Sequence, residues 1–524
     1  MNASTADPLI DRPLGWCTVQ ASTLVGLQPS AITVEVTCSR GPAFFQMVGL
    51  AQAPVREARV RVTSALAQLG ILLNEHAITV NLAPADLRKT DASLDLAIAI
   101  GILGSIGQLD PKAVKGVLWL GELSLDGSLQ PVRGVLPQLV GAAERGLRAA
   151  VLPAANAKEA GLVSLLEVRV ARSLEQVVKS FSSSAPLPSP PKTPFVPGLG
   201  GDAVDFGEVR GQSVARRAME IAAAGHHNVL LIGPPGAGKT MLARRLPTIL
   251  PPLSYNEALE TTTVHSVAGL IDPEQGIVST RPFRAPHHTI TQQGLVGGGD
   301  NPRPGELSLA HNGVLFLDEV AEFERRVLES LRGPLEDGVI RIARARAVAE
   351  FPARPLVVAA MNSCPCGYHG HPTRPCRCTE AQRRRYRTRL SGPLLDRLDV
   401  HVTLAPVPVA ELSESTPTSE SHSKNIYERV VRARGHQLAR YQAGLTCSST
   451  NSGLLAREFA QVLKLTPETK AYLSQASRHL ALSARAYTRV LRVARTVADL
   501  EDEPRVATRH VAEALQGRLL EPIW

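Results

Sequence analysis

Apolar and polar positions alternate in short blocks along the first part of the chain. Residues 31–37, 77–82, 117–120 and 149–152 read as strands, and 54–69 and 94–103 carry the longer apolar spacing of helices. The rhythm stops at 182–201, SSSAPLPSPPKTPFVPGLGG, where Ser, Pro and Gly exclude a continuing helix or ladder and predict a semi-extended connector. It then restarts, with a helix over 213–224, an apolar strand over 228–232, a glycine-rich turn and a helix from Lys239. Further strands are expected at 313–317, 356–360 and 400–404, and this alternation predicts a mostly parallel sheet covered by helices on both faces. A polar stretch at 411–424 leads into helices expected near 425–441, 453–463, 467–479, 484–500 and 508–516. The division is therefore 1–181, the connector 182–201, a core at 202–410 and a helical end at 411–524, with no internal repeat.

Composition narrows the class. The chain has 524 residues, 44% hydrophobic and 20% charged, which excludes disorder for most of it and supplies apolar material for several cores. No apolar run approaches the ~18 residues that a membrane span needs, and the opening MNASTADPLIDR has no apolar core of a secretory signal. Seven cysteines suggest no secreted disulfide framework, so the expectation is a cytoplasmic protein with no membrane partner. Lysine and arginine number 57 against 48 acids, a formal excess of +9 that is dilute as an average. It is concentrated in two places, a short arginine-rich hairpin over 337–351 and the run 374–389, which holds seven arginines against Glu380. The run could follow a DNA path or face acidic groups across a subunit interface, and it lacks the interleaved aromatics of a stacking platform.

The strongest chemistry is Gly233-Pro234-Pro235-Gly236-Ala237-Gly238-Lys239-Thr240, which follows a strand and opens a helix. Glycines let backbone amides close on phosphate oxygens, Lys239 supplies charge to the outer phosphates, and Thr240 offers a hydroxyl to Mg²⁺. About eighty residues on, the apolar strand VLFL ends in Asp318-Glu319. Asp318 suits Mg²⁺ held through water, and Glu319 suits polarising the attacking water of ATP hydrolysis. Asn362 ends another apolar strand, VVAAM, where its amide could hold that water from the other side or simply form a turn.

Cys364, Cys366, Cys376 and Cys378 lie within fifteen residues as two C-x-C pairs, a ligand set for a closed structural Zn²⁺ site, with His369 and His371 as possible substitutes. Ordinary reduced thiols are the alternative. The insert 260–312 carries Arg281, Arg284, the pair His287-His288 and three successive glycines from Gly297. Adjacent histidines lack the i, i+4 spacing of helical metal ligands, so this reads as a mobile substrate-contacting loop.

The phosphate loop, LFLDE, AAMN and LSGPLLDRLDV together resemble an AAA+ ATPase. PFRAPHHTITQQGLVGGGDNPRPGELSLAHNGVLFLDE and MNSCPCGYHGHPTRPCRCT are similar to the YifB/ComM family of magnesium-chelatase-like AAA+ proteins, over nearly the whole chain. The resemblance implies an AAA+ phosphate-loop core with a helical C-terminal lid. It also implies a homo-oligomeric ring, in the hexameric form, whose active sites lie between neighbours. Arg397 would be the finger reaching the adjacent subunit's γ-phosphate, and Arg485 the second sensor on a lid helix, with Arg489 a competing candidate. The 337–351 hairpin looks like a pre-sensor hairpin aimed into the ring channel, with Arg341, Arg344 and Arg346 as candidate DNA contacts. KTDASLDLAIAI and the stretch from Gly121 to Pro153 resemble the Lon protease domain, a ribosomal-S5-domain-2-like α/β scaffold. Ser93 falls where its nucleophile would be, but Leu136 stands where the general-base lysine belongs, so an inactive domain is expected. Function by resemblance is ATP-dependent helicase or branch migration on recombination intermediates, supporting natural transformation. A metal-insertion motor and a protein-remodelling unfoldase are the alternatives.

Overall fold

The computed structural model describes residues 15–49, 52–87, 89, 92–182, 186–198, 200, 204–344, 347–371, 373–407 and 422–517. Two sheets organise them. The first has seven strands in the order Phe44–Val48, His76–Ala83, Gln28–Arg40, Gly15–Val25, Val117–Trp119, Ala149–Pro153, Glu167–Ala171. Its centre is the antiparallel hairpin Gly15–Val25 with Gln28–Arg40, whose inward residues Cys17, Val19, Ala21, Ile32, Val34 and Val36 are all buried. Helix Asp95–Ser105 lies on that face and is buried at every position, which is why its sequence reads as one unbroken apolar run. Its first residue, Asp95, is inside the protein and is matched by Arg61 at 2.6 Å and by the Leu123 N–H at 3.2 Å. Ser93 is buried in the turn Ala92–Leu94 just before it.

The second sheet is parallel throughout, in the order Phe283–Arg284, Val314–Leu317, Leu356–Met361, Val229–Ile232, Val400–Thr403. Strands Val229–Ile232, Val314–Leu317 and Leu356–Met361 are buried at every position, as expected of strands covered on both faces. One face shares its core with helix Ser213–Gly225 and with the C-terminal helices Ser423–Gln442, Ala484–Leu500 and Thr508–Gln516. The mixed α/β class, the parallel sheet and the helical C-terminal region agree with the sequence reading.

The differences have local causes. Strands Gly15–Val25, Phe44–Val48 and Glu167–Ala171 escape the sequence reading; in the first, Thr, Gln and Ser among small apolar residues blur the alternation, and the other two are only five residues long. The single helix expected over 453–463 is instead two 3₁₀ turns, Asn451–Gly453 and Ala456–Glu458, followed by helix Phe459–Leu463. The buried Glu458 carboxylate accepts the N–H groups of Cys447 and Leu455, both at 2.9 Å, and these bonds fold the chain into turns. Within the connector, residues 186–198 are extended and fastened to both units. Val170 N–H donates to Pro188 O at 2.9 Å and Gly198 N–H to Ser279 O at 3.0 Å, while the Phe195 ring meets Tyr255. Most of the polar stretch 411–424 lies outside the described residues.

The two units also touch directly. Helix Tyr255–Ala268 packs on helix Val135–Glu144, Gly134 N–H donates to Ser266 O at 3.1 Å, and the Ser266 hydroxyl donates to the buried Glu159 carboxylate. The same carboxylate accepts the backbone N–H of Leu136 at 2.8 Å.

The C-terminal helices are held by a buried ionic cluster. Asp499 is met by Arg440 at 2.6 Å, Arg495 at 3.0 Å and the Asn451 amide at 2.8 Å, with Arg495 and Asp499 each 1% exposed. Removing one partner of such a cluster leaves a buried charge unmatched. Asp499→Ala is expected to cost about 3–5 kcal/mol, read as a large drop in the thermal midpoint of unfolding; an unchanged midpoint would contradict the cluster.

Candidate nucleotide site

The parallel sheet sets three loops side by side at its C-terminal edge. Ile232 pairs with Met361 and Leu317 with Ala359, so the residues that follow these strands emerge together. Gly233–Thr240 leaves the first strand, Asn362 the second and Asp318-Glu319 the third.

The phosphate loop is a cradle open to solvent. Gly236 and Gly238 have φ of +78° and +89°, in the left-handed region that favours glycine, and nothing lies within 4 Å of where a Cβ would stand. Helix Lys239–Arg245 follows, so loop amides and the helix start face the same space. Lys239 Nζ donates to Gly233 O at 2.6 Å, Pro234 O at 3.0 Å and Asn362 Oδ1 at 3.0 Å, which engages all three of its donors. Burial pushes the Lys239 ammonium below the ordinary lysine range, and the charges of Asp318 and Glu319 oppose that shift. Thr240 Oγ1 donates to Asp318 Oδ2 at 2.9 Å, placing a hydroxyl and a carboxylate together as a Mg²⁺ site requires. Glu319 is exposed, with φ of +49°, and its carboxylate lies 3.9 Å from the Nδ1 of His288.

The residues predicted from sequence for this loop, Asp318, Glu319 and Asn362 thus converge. Several of their supports were not legible in advance. Gln212 donates to Ala237 O at 3.2 Å and to Ala405 O at 2.6 Å, tying the phosphate loop to the chain after strand Val400–Thr403. Tyr386 is buried, its hydroxyl accepts the Asn362 N–H, and burial foremost pushes its pKa up to about 12. Arg389 meets Glu322 at 2.7 Å and Ala321 O at 2.9 Å, so with Tyr386 the C-terminal end of the arginine-rich segment's helix, Glu380–Arg387, is anchored beside the site. His288 sits in the insert between the His287 ring at 4.1 Å and Phe323 at 6.5 Å; the PHH sequence was the available signal.

The candidate arginines lie elsewhere. Arg397 is buried, paired with Glu336, and its carbonyl accepts the Asn228 amide at 3.0 Å. Asn228 starts the strand whose other end carries the phosphate loop, so Arg397 lies a strand length away, ~13 Å for four residues. Arg489 is fixed at that same far edge by Asp399 at 2.5 Å, and Asp399 in turn accepts the Asn228 N–H at 3.2 Å. Arg485, one turn earlier on helix Ala484–Leu500, is exposed, and among the described residues no bond joins it to its own phosphate loop. The Arg489–Asp399 pair holds the start of this helix at the other edge of the sheet.

In the hairpin, strands Val339–Arg344 and Ala347–Pro352 pair as predicted, but Arg341 faces Glu350 across the ladder at 2.8 Å and its charge is already matched. The Arg344 side chain and the whole of Arg346 lie outside the described residues. The four predicted cysteines form one cluster whose Sγ atoms all lie within 4.8 Å of one another. Histidines 287 and 288 form no metal cluster among the described residues.

Lys239→Ala is expected to weaken binding of a fluorescent ATP analogue at least about tenfold, because the ammonium faces the phosphates. Glu319→Gln is expected to keep that binding while phosphate release falls about 10²–10⁴-fold, the range for loss of a general base. Ordinary turnover in either variant would refute the site.

Sequence comparison agrees with this geometry. The family described as magnesium chelatase, subunit ChlI, matches residues 205–412, with its C-terminal part matching 420–518 and a further ChlI segment 34–156. The chain is 42% identical to the competence protein ComM of Haemophilus influenzae over 501 residues, covering 95% of this chain and 96% of that one. It is 41% identical to the uncharacterised protein YifB of Escherichia coli over 510 residues, covering 96% and 97%. Shorter stretches resemble a magnesium-chelatase 67 kDa subunit of Heliobacterium mobile, 27% identical over 31% of this chain and 28% of that one, and Lon protease 2 of Bacillus subtilis, 30% identical over 25% of each. With a phosphate loop, a carboxylate pair and a strand-end asparagine set at one sheet edge, and full-length likeness on both sides of it, the chain belongs to the YifB/ComM family of magnesium-chelatase-like AAA+ ATPases, which implies ATP and Mg²⁺ as its cofactors.

Proposed function

We propose that this protein is an ATP-driven ring motor on DNA, acting by helicase or branch-migration activity on recombination intermediates during uptake of transforming DNA. The competence role printed for its Haemophilus relative supports the setting. The observation that carries the DNA reading is helix Glu380–Arg387 and its flanks. Tyr386 and Arg389 tie this segment to Asn362 and Glu322 beside the nucleotide, while Arg377, Arg384 and Arg385 are exposed and have no acidic partner among the described residues. Charge on the outer face would meet a phosphate backbone while the inner face follows Asn362. Among the described residues no exposed aromatic grip for polypeptide accompanies these arginines, and the likeness to the chelatase subunit covers under a third of the chain.

In this reading Gly233–Thr240 binds the phosphates and Lys239 exchanges its Asn362 partner for a phosphate oxygen. Release of Asn362 from Lys239 then frees its amide to hold the attacking water, which Glu319 polarises. Thr240 and Asp318 would hold a Mg²⁺ ion, which would offset charge on the phosphate oxygens. Arg397 stands at the sheet edge away from its own loop, and Arg485 is one helical turn from Arg489 at that edge, a placement suited to service at a neighbour's site in a hexameric ring. The amino-terminal unit serves as a scaffold without peptidase activity, since buried Leu136 offers no amine to Ser93. The cysteine quartet is a closed structural Zn²⁺ site.

The deciding experiment is ATP-dependent branch migration on four-way DNA beside the Lys239→Ala control; no ATP-dependent movement overturns the reading. Arg384→Ala with Arg385→Ala should weaken DNA binding and reduce the slope of log affinity against log salt by about 2. An unchanged slope would remove this helix from the DNA path. Arg397→Ala should lose turnover alone and regain part of it when mixed with Lys239→Ala subunits; no recovery would contradict a finger acting between subunits.

A further inference from the structure

The cysteine cluster has the dimensions of a metal centre. Cys364 and Cys366 sulfurs are 3.4 Å apart, and each lies 3.6 Å from the Cys376 sulfur. Zn–S bonds of ~2.3 Å in a tetrahedron set sulfurs ~3.8 Å apart, so little movement is needed to close on an ion. All four thiols are unbridged, and Cys364 is fully buried. The surrounding shell is built as well. His369 N–H donates to the Cys364 sulfur at 3.3 Å, Arg383 holds the His369 ring at 2.8 Å, and Arg374 lies over Tyr368 inside the loop.

What sets this cluster apart is its neighbour. Cys364 stands two residues after Asn362, the amide that Lys239 meets, and Gly367, next to Cys366, presses on the phosphate loop. A Cβ on Gly367 would lie 2.7 and 2.8 Å from the Cδ and Cγ of Pro235, and its φ of +83° already favours glycine. The turn just after the second ligand, Cys366, is thus a wall of the phosphate cradle. Four sulfurs drawn to one ion fix that wall, whereas four separate thiols leave its short loops with few apolar contacts to hold them.

Resting on the zinc reading above, we infer that the metal in the quartet is a working part of the nucleotide pocket, clamping Gly367 against Pro235 and Asn362 against Lys239, so that nucleotide affinity depends on metal loading. Zinc content and the affinity for a fluorescent ADP analogue are to be measured together on the full chain. The measurements are made in excess Mg²⁺, before and after a zinc-selective chelator, and again after zinc is restored, with circular dichroism following the fold. The expected result is about one zinc per chain and a nucleotide affinity that falls about tenfold or more on its removal and returns with zinc. Gly367→Ala should keep its zinc and still weaken nucleotide binding, since the added methyl strikes Pro235. Protein purified without chelator and lacking zinc overturns the metal reading. Zinc that is present and removable with no change in affinity, or Gly367→Ala with unchanged affinity, overturns the clamp while leaving the metal site standing.

Discussion

A parallel sheet buried on both faces can expose polar chemistry only where its strands end. Everything at the nucleotide site follows from that constraint. Strands Val229–Ile232, Val314–Leu317 and Leu356–Met361 are apolar at every position, so each is locked in the interior, and their pairing fixes which residues emerge together. Lys239 reaches Asn362, and Thr240 reaches Asp318, only because those strands keep register. A slip of one residue would carry the chain ends past each other and turn buried side chains to the wrong face.

The opposite edge of the same sheet is organised as tightly and for a different purpose. Asp399 collects the Asn228 N–H, the Arg489 guanidinium and, at 3.4 Å, the His227 ring, and Arg397 lies beside this group with Glu336 as its partner. The C-terminal helices are joined to the core here and through the shared apolar face, so their arginines are carried away from the chain's own phosphate loop. One sheet therefore presents the phosphate loop and its carboxylates at one end and fixed cations at the other.

The amino-terminal unit is joined to this core by more than its connector. Where the Lon resemblance would place a catalytic amine, Leu136 is buried and its N–H is spent on Glu159, which also receives Ser266 from the ATPase unit. Burial pushes the Glu159 carboxyl up, with the Ser266 and Leu136 bonds acting against that shift. The Leu136 backbone is thereby part of a contact between the two units.

Much of the site was legible in the chain because its signals are local. The phosphate loop, Asp318-Glu319 and Asn362 each sit at the end of a short apolar run, and the C-x-C pairs stand close enough in sequence to declare a cluster. Strand and helix identities followed where the apolar period was clean, and failed where small polar residues interrupted it, as in Gly15–Val25, or where a buried carboxylate bent the chain, as at Glu458. Partnership across distance was not legible. That Glu350 takes up the charge of Arg341, that Asp399 holds Arg489 and with it the helix bearing Arg485, and that Gly367 leans on Pro235 all depend on segments far apart in sequence. The sequence alone determined which residues can bind phosphate, metal or a charged backbone, since that is a property of side-chain chemistry and short-range backbone freedom. Only the tertiary structure decided which of them meet and which cations remain unmatched, because the distances between separate strands and helices are set by packing.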